Sequence, residues 1–151
     1  MRITFTAFAF AAVLAQPAAA ITFPSLTTIY VGSGVTNGTP SATSFHCTNV
    51  SGVTATIRYL VLDTDGSVAG SITRSAAHGA TITASTRDTN AFEDTDNLIT
   101  PGVGIYQGGV NIESTQSGVF CTAMLVDQSA FEPSGIDLHL VRVNPHPGTV
   151  E

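Results

Sequence analysis

The segment Val53–Leu62 constrains the fold of this chain most. Val53, Ala55, Ile57, Tyr59 and Val61 share one parity, whereas Thr54, Thr56 and Arg58 occupy the other. A period of two puts the apolar set on one face of an extended strand and leaves the polar set to solvent. Asp63-Thr64-Asp65-Gly66 follows at once. An Asp-Gly pair suits a tight turn because glycine takes positive φ at little steric cost. The pattern predicts a hairpin joining Val53–Leu62 to Val68–Thr73. Val110–Ser114 repeats the alternation, with Val110 and Ile112 facing one way and Asn111 and Glu113 the other.

Beyond Ala20 the remaining chain has the same texture. Runs rich in branched side chains lie at Thr28–Val31, Ser44–Asn49, Ala80–Thr86, Val119–Val126 and Ile136–Val143, with a weaker one at Gly104–Tyr106. Clusters of Gly, Asn and Asp separate them, and no long window carries a helical apolar stripe free of turn residues. The expected fold class is therefore all-β. A single antiparallel β-sandwich of about eight strands can close two layers over one core. A small β-barrel is the alternative, because alternation does not distinguish the two closures. Gly32–Ala42 reads as a connection, Asp88–Asn97 as the most polar stretch, and Asn144–Glu151 as a polar tail.

Residues Met1–Ala20 read as a secretory signal peptide. Arg2 supplies the positive start and Ile3–Leu14 the apolar run. Gln16 and Pro17 break that run before Ala18-Ala19-Ala20, a site of small residues that signal peptidase accepts. The run falls short of the roughly 20 residues that span a bilayer. Cleavage after Ala20 leaves residues 21–151 as one domain, secreted or periplasmic, with no transmembrane anchor. No cysteine follows the site to carry a lipid.

Charge narrows the partners. Only 11% of residues are charged, under half the roughly 25% of an average soluble domain. Five Lys and Arg residues face 11 Asp and Glu, giving a net charge of −6. All five bases are arginine, and loss of Arg2 makes the mature chain more acidic still. Such a surface gives nucleic acid or anionic lipid no electrostatic support.

Cys47 and Cys121, 74 positions apart, are the only cysteines. Each lies in an expected strand of an exported chain, so a structural disulfide is expected, worth about 2–4 kcal/mol. No Cys-x-x-Cys spacing marks a redox enzyme. A long-range bridge between an early and a late strand resembles the immunoglobulin superfamily. The resemblance covers roughly Thr28–Val143. It implies an immunoglobulin-like sandwich and no particular ligand. Two of that family's marks are missing: there is no tryptophan, and Val119 replaces the tyrosine expected two residues before the second cysteine. Ser44-Phe45-His46-Cys47-Thr48-Asn49 and Cys121–Asp127 also look like parts of secreted bacterial β-proteins with no assigned activity.

Chemistry is sparse. His46, His78, His139 and His146 fit no metal motif by spacing, although His46 and His139 could form a two-histidine face within a sheet. A cupredoxin-like copper centre needs a histidine soon after Cys121, and the next is His139. Asp88, Glu93, Asp94 and Asp96 form the best calcium candidate, since calcium favours several oxygens on flexible loops. A solvated acidic loop explains them more simply. Asp63 and Asp65 need only a turn. No Gly-x-Ser-x-Gly elbow distinguishes any serine, and Gly102, Gly104, Gly108 and Gly109 suit turns or a close backbone crossing. Asn37-Gly38-Thr39 and Asn49-Val50-Ser51 match the glycosylation pattern. Tyr30, Tyr59 and Tyr106 would form a sugar platform only if several faced solvent.

The expected function is an exported, non-enzymatic structural or interaction module without a cofactor. A weak calcium- or carbohydrate-binding module and a small secreted hydrolase are the alternatives. Its partner would be a protein or a glycan.

Overall fold

Alternating burial organises the computed structural model, which describes residues 20–92, 96–98, 104–132 and 134–143, without the side chains of Asp96 and Asn97. The expected signal peptide before Ala20 and the tail from Asn144 lie outside the described residues. The strands are β1 (Thr22–Val35), β2 (Ser41–Asn49), β3 (Ala55–Leu62), β4 (Val68–Ala76), β5 (Thr81–Ser85), β6 (Asp96–Asn97), β7 (Gly108–Gln116), β8 (Val119–Asp127), β9 (Gly135–Leu138) and β10 (Leu140–Arg142).

They form two sheets. The first has the order β10-β1-β7-β3-β4 and the second β6-β5-β2-β8-β9. Every neighbouring pair is antiparallel except β5 and the two-residue β6. The sheets are separate layers, so the core closes as a sandwich and the barrel alternative does not apply. The β3–β4 hairpin forms as expected, with Gly66 at φ 84° in its turn.

The core follows the alternation. Ala55, Ile57, Tyr59 and Val61 on β3 and Val110 and Ile112 on β7 are buried, and Tyr59 stands opposite Ile112. Phe45, Cys47, Ala84, Val119 and Ala123 complete the core from the second sheet. Tyr59 spans the layers: its ring meets Phe45 at a centroid distance of 6.1 Å, and its hydroxyl donates to the Ile82 carbonyl of β5 at 3.1 Å.

Several local expectations change. Val53 is 52% exposed, because β3 begins two residues later and the 50–54 turn carries Val53 off the core face. Glu113 is buried rather than solvated. Its strand is central, and the guanidinium of Arg58 on neighbouring β3 covers it in an ion pair. Gly104–Tyr106 is not a strand, yet Ile105 is fully buried and its carbonyl accepts from the Asn37 amide at 2.7 Å. β1 extends through Gly32 and Gly34, since pairing with β7 on one side and β10 on the other outweighs their poor strand propensity. The expected strand Ile136–Val143 is broken at His139, with β9 in one sheet and β10 in the other.

Candidate functional site

The break at His139 builds a concave feature. β9 follows β8 only from Val126 opposite Gly135 to Ala123 opposite Leu138. The chain then crosses to the other layer, where Leu140 stands opposite Gly32 of β1. The approach is close there: a Cβ at Gly32 would lie 2.7 Å from Leu140 Cδ2, so that side chain would have to shift. The crossing leaves a cleft of about 450 Å³ lined by Cys121, Thr122, Ala123, Asp137, Leu138, His139 and Leu140. A second hollow of about 300 Å³, lined by Val31, Gly32, Ser33, His139 and Val141, lies on the far side of His139.

The disulfide borders the first cleft. Cys47 and Cys121 stand directly opposite each other on β2 and β8, bonded at 2.08 Å. The bridge therefore staples neighbouring strands of one sheet, whereas the bridge that marks immunoglobulin domains joins the two layers. The Cα atoms are 4.1 Å apart, the narrow spacing of an antiparallel pair whose own amides and carbonyls face away from one another. The amide and carbonyl of Cys121 thus point from β2 towards the side that β9 has left. Cys47 is fully buried, and Cys121 is half-buried against the core.

Arg142 closes the far end of this edge. Its guanidinium lies 4.9 Å from the Tyr30 ring centroid and 5.6 Å from that of Phe120. It donates to the Tyr30 hydroxyl and the Val119 carbonyl, each at 2.8 Å, and to the Ser117 carbonyl. One side chain thereby ties β10 to β1 in its own sheet and to β8 in the other.

Among the described residues the sequence-derived candidates are dispersed. Asp88 is exposed, while Glu93, Asp94 and the Asp96 side chain lie outside the described residues, as do Gly102 and His146. Asp63 and Asp65 cap their own turn by accepting from the Thr64 and Ser67 amides. His46 and His139 do not meet, because Thr122 of the intervening β8 stands beside His46. Among the described residues no group of three His, Cys, Asp or Glu side chains could hold a metal ion. His46 shares a 3.0 Å hydrogen bond with Thr83 Oγ1, and His78 Nδ1 accepts from the Gly52 amide at 3.1 Å. Neither histidine is paired with a serine or a carboxylate. Gly108 makes the close crossing, since a Cβ there would lie 2.4 Å from the Leu62 carbonyl oxygen. Tyr30 and Tyr59 are buried, so the three tyrosines form no shared platform. Tyr106 and Phe131, both 84% exposed, are instead the most exposed large hydrophobic side chains among the described residues. Sequence pattern alone missed the cleft, Phe131 and the Arg142 clamp.

The asparagines of both glycosylation patterns are buried. Asn37 is buried, and its Oδ1 accepts from Arg87 Nε at 3.1 Å. Asn49 is fully buried. Its Nδ2 donates to the Val53 and Ala76 carbonyls at 2.7 and 2.8 Å, and its Oδ1 accepts from the Ser51 amide at 3.0 Å. Asn49→Ala is expected to cost about 2 kcal/mol by leaving buried carbonyls without donors. Urea unfolding checks it, and an unchanged midpoint would contradict the role.

His46 adds a pH dependence. Its ring stands edge-on to Phe92 at 4.4 Å, and Nε2 is buried without a hydrogen-bond partner among the described residues. Burial holds the imidazole below its ordinary value of 6.5. The unfolded chain then binds a proton more readily than the folded one, so stability falls as pH drops below about 6.5 towards the folded-state value. Asp65 and Asp127 are lowered by hydrogen bonds from Ser67 and Ser129. Their contribution is present above the carboxylate range and lost only as pH falls through it. Thermal melts between pH 4.5 and 7.5 should therefore flatten in His46→Gln; the same slope in both proteins would remove His46 as the cause.

Among the described residues no helix is long and apolar enough to cross a membrane. No protein-family model matches the chain, and neither a curated protein nor a solved structure shows significant similarity to it.

Proposed function

We propose that the chain is an exported, non-enzymatic β-sandwich module whose role is structural or interactive. The bridge between Cys47 and Cys121 carries this reading. It joins opposed residues inside a packed sheet, an arrangement suited to a chain that works in an oxidising compartment. The N-terminal pattern ending at Ala20 supports export by an independent route. Tyr106 and Phe131 supply exposed contact surface at the end of the sandwich that carries the 36–40 and 128–134 loops. The immunoglobulin-like likeness extends to the two-layer architecture, with its staple placed differently.

The intact mass of the natively secreted protein, alkylated with and without prior reduction, tests the proposal. The chain should begin at Ile21 and gain alkyl groups only after reduction. An uncleaved N-terminus, or two alkylated thiols without reduction, would overturn it.

A further inference from the structure

We infer that the cleft beside Cys121 is a thiol–disulfide exchange site that takes a small cysteinyl peptide in extended conformation, with Cys121 as the sulfur attacked and Cys47 as the resolving cysteine. Exchange requires a thiolate to approach one sulfur along the line of the existing S–S bond, from the side opposite the leaving sulfur. The bridge runs from β2 to β8. On the far side of Cys47 lies β5, where Ile82 stands opposite Cys47 and packs against the core. On the far side of Cys121 lies the stretch that β9 has vacated, where the cleft of about 450 Å³ opens. Cys47 is fully buried, whereas Cys121 is half-buried and lines the cleft, which assigns the attack to Cys121.

The open edge also selects the form of the thiol. The Cys121 amide and carbonyl face the cleft and can pair with the main chain of a guest strand, as exposed sheet edges do with extended peptides. A guest residue opposite Cys121 would form the wide, hydrogen-bonded type of pair, with Cα atoms about 5.5 Å apart. That lies within the roughly 4.4–6.8 Å that a disulfide spans. Its side chain would share the inner face with Cys121, over Ala123, Leu138 and Leu140. A guest cysteine is thus presented to Cys121 by strand pairing.

The chemistry balances without a further reagent. The guest thiolate forms a new S–S bond to Cys121 Sγ while the Cys121–Cys47 bond breaks, and Cys47 leaves as a thiolate that takes a proton from solvent. Return attack by Cys47 on the mixed disulfide expels the guest thiolate and restores the bridge. Attack by a second guest thiol releases an oxidised guest dimer and leaves both cysteines reduced. The exchange depends on the bridge and the cleft, not on export or on any protein partner.

The test uses the folded, oxidised protein and a neutral blocked tripeptide, N-acetyl-valyl-cysteinyl-valinamide. After acid quenching and alkylation, peptide mapping should find the adduct on Cys121 and the alkyl group on Cys47. At equal thiolate concentration the tripeptide should exchange about tenfold faster than 2-mercaptoethanol, which cannot pair with the β8 edge. An adduct divided between the two cysteines, or formed only in denaturant, would show exchange through unfolding and overturn the site. Equal rates for both thiols would overturn the peptide preference. A second comparison avoids exchange altogether. Cys121 in Cys47→Ser should alkylate about tenfold faster than Cys47 in Cys121→Ser, because only the first thiol faces the cleft. The two variants lose the same bridge, so equal rates would count against the site whatever their stability.

Discussion

Tyr59→Ala is expected to destabilise the protein by about 3–5 kcal/mol, the usual range for removing a buried aromatic side chain. Three links meet in this residue. Its parity on β3 is fixed by the local alternation, its ring packs against Phe45, and its hydroxyl reaches the Ile82 carbonyl of the opposite layer. Truncation leaves a cavity between the sheets and a carbonyl without that donor. Tyr59→Phe keeps the ring and removes only the hydroxyl, so its cost should be about 1 kcal/mol. Chemical denaturation of both variants separates packing from the hydrogen bond. Equal losses would mean that the cross-layer bond, rather than the ring, dominates at this position.

Arg142→Ala is expected to cost about 2–4 kcal/mol, because hydrogen bonds from a charged donor are worth more than neutral ones and the ring contacts add to them. The loss should be local before it is global. β10 has few residues and is tied by pairing to β1 and by Arg142 to Tyr30, Val119 and Ser117. Hydrogen exchange should therefore speed up at Leu140–Arg142 and at the start of β8, while β3 and β7 stay protected. Arg142→Lys should not rescue the loss, since a single ammonium cannot reproduce the planar, branched donor set or its stacking between two rings. Full rescue by lysine would show that charge alone holds the clamp.

These two residues differ in how far the sequence exposes them. Tyr59 is legible because its neighbours at two-residue spacing are all apolar and an Asp-Gly turn ends the run. Arg142 is not. Nothing near it in sequence signals that its partners are Tyr30, Ser117 and Val119, which come from distant segments. The same contrast explains Val53 and Glu113. Alternation counts parity correctly but cannot see that the strand starts at Ala55, nor that Arg58 on an adjacent strand covers Glu113.

The candidate site shows the limit most clearly. Cys47 and Cys121 are obvious as a pair, yet the register that sets them opposite each other on neighbouring strands arises from the β2–β8 ladder. The cleft arises from the departure of β9 at His139. Ile136, Leu138 and Leu140 keep one apolar parity through that point, so no local signal marks the crossing at His139. The glycine that admits Leu140 lies on β1, far away in the chain.

By itself the sequence determined an all-β chain, the β3–β4 hairpin, the core parity of Ala55, Ile57, Tyr59 and Val61, and the identity of the only possible disulfide. Those features depend on side-chain period, turn chemistry and cysteine count, all of which are local or compositional. Tertiary structure alone decided which strands became neighbours, where the last strand changed layers, and which cysteine of the bridge lines a cleft. The physical reason is that a two-residue period specifies the buried face of a strand but not its partner. Partner choice depends on packing between segments remote in sequence.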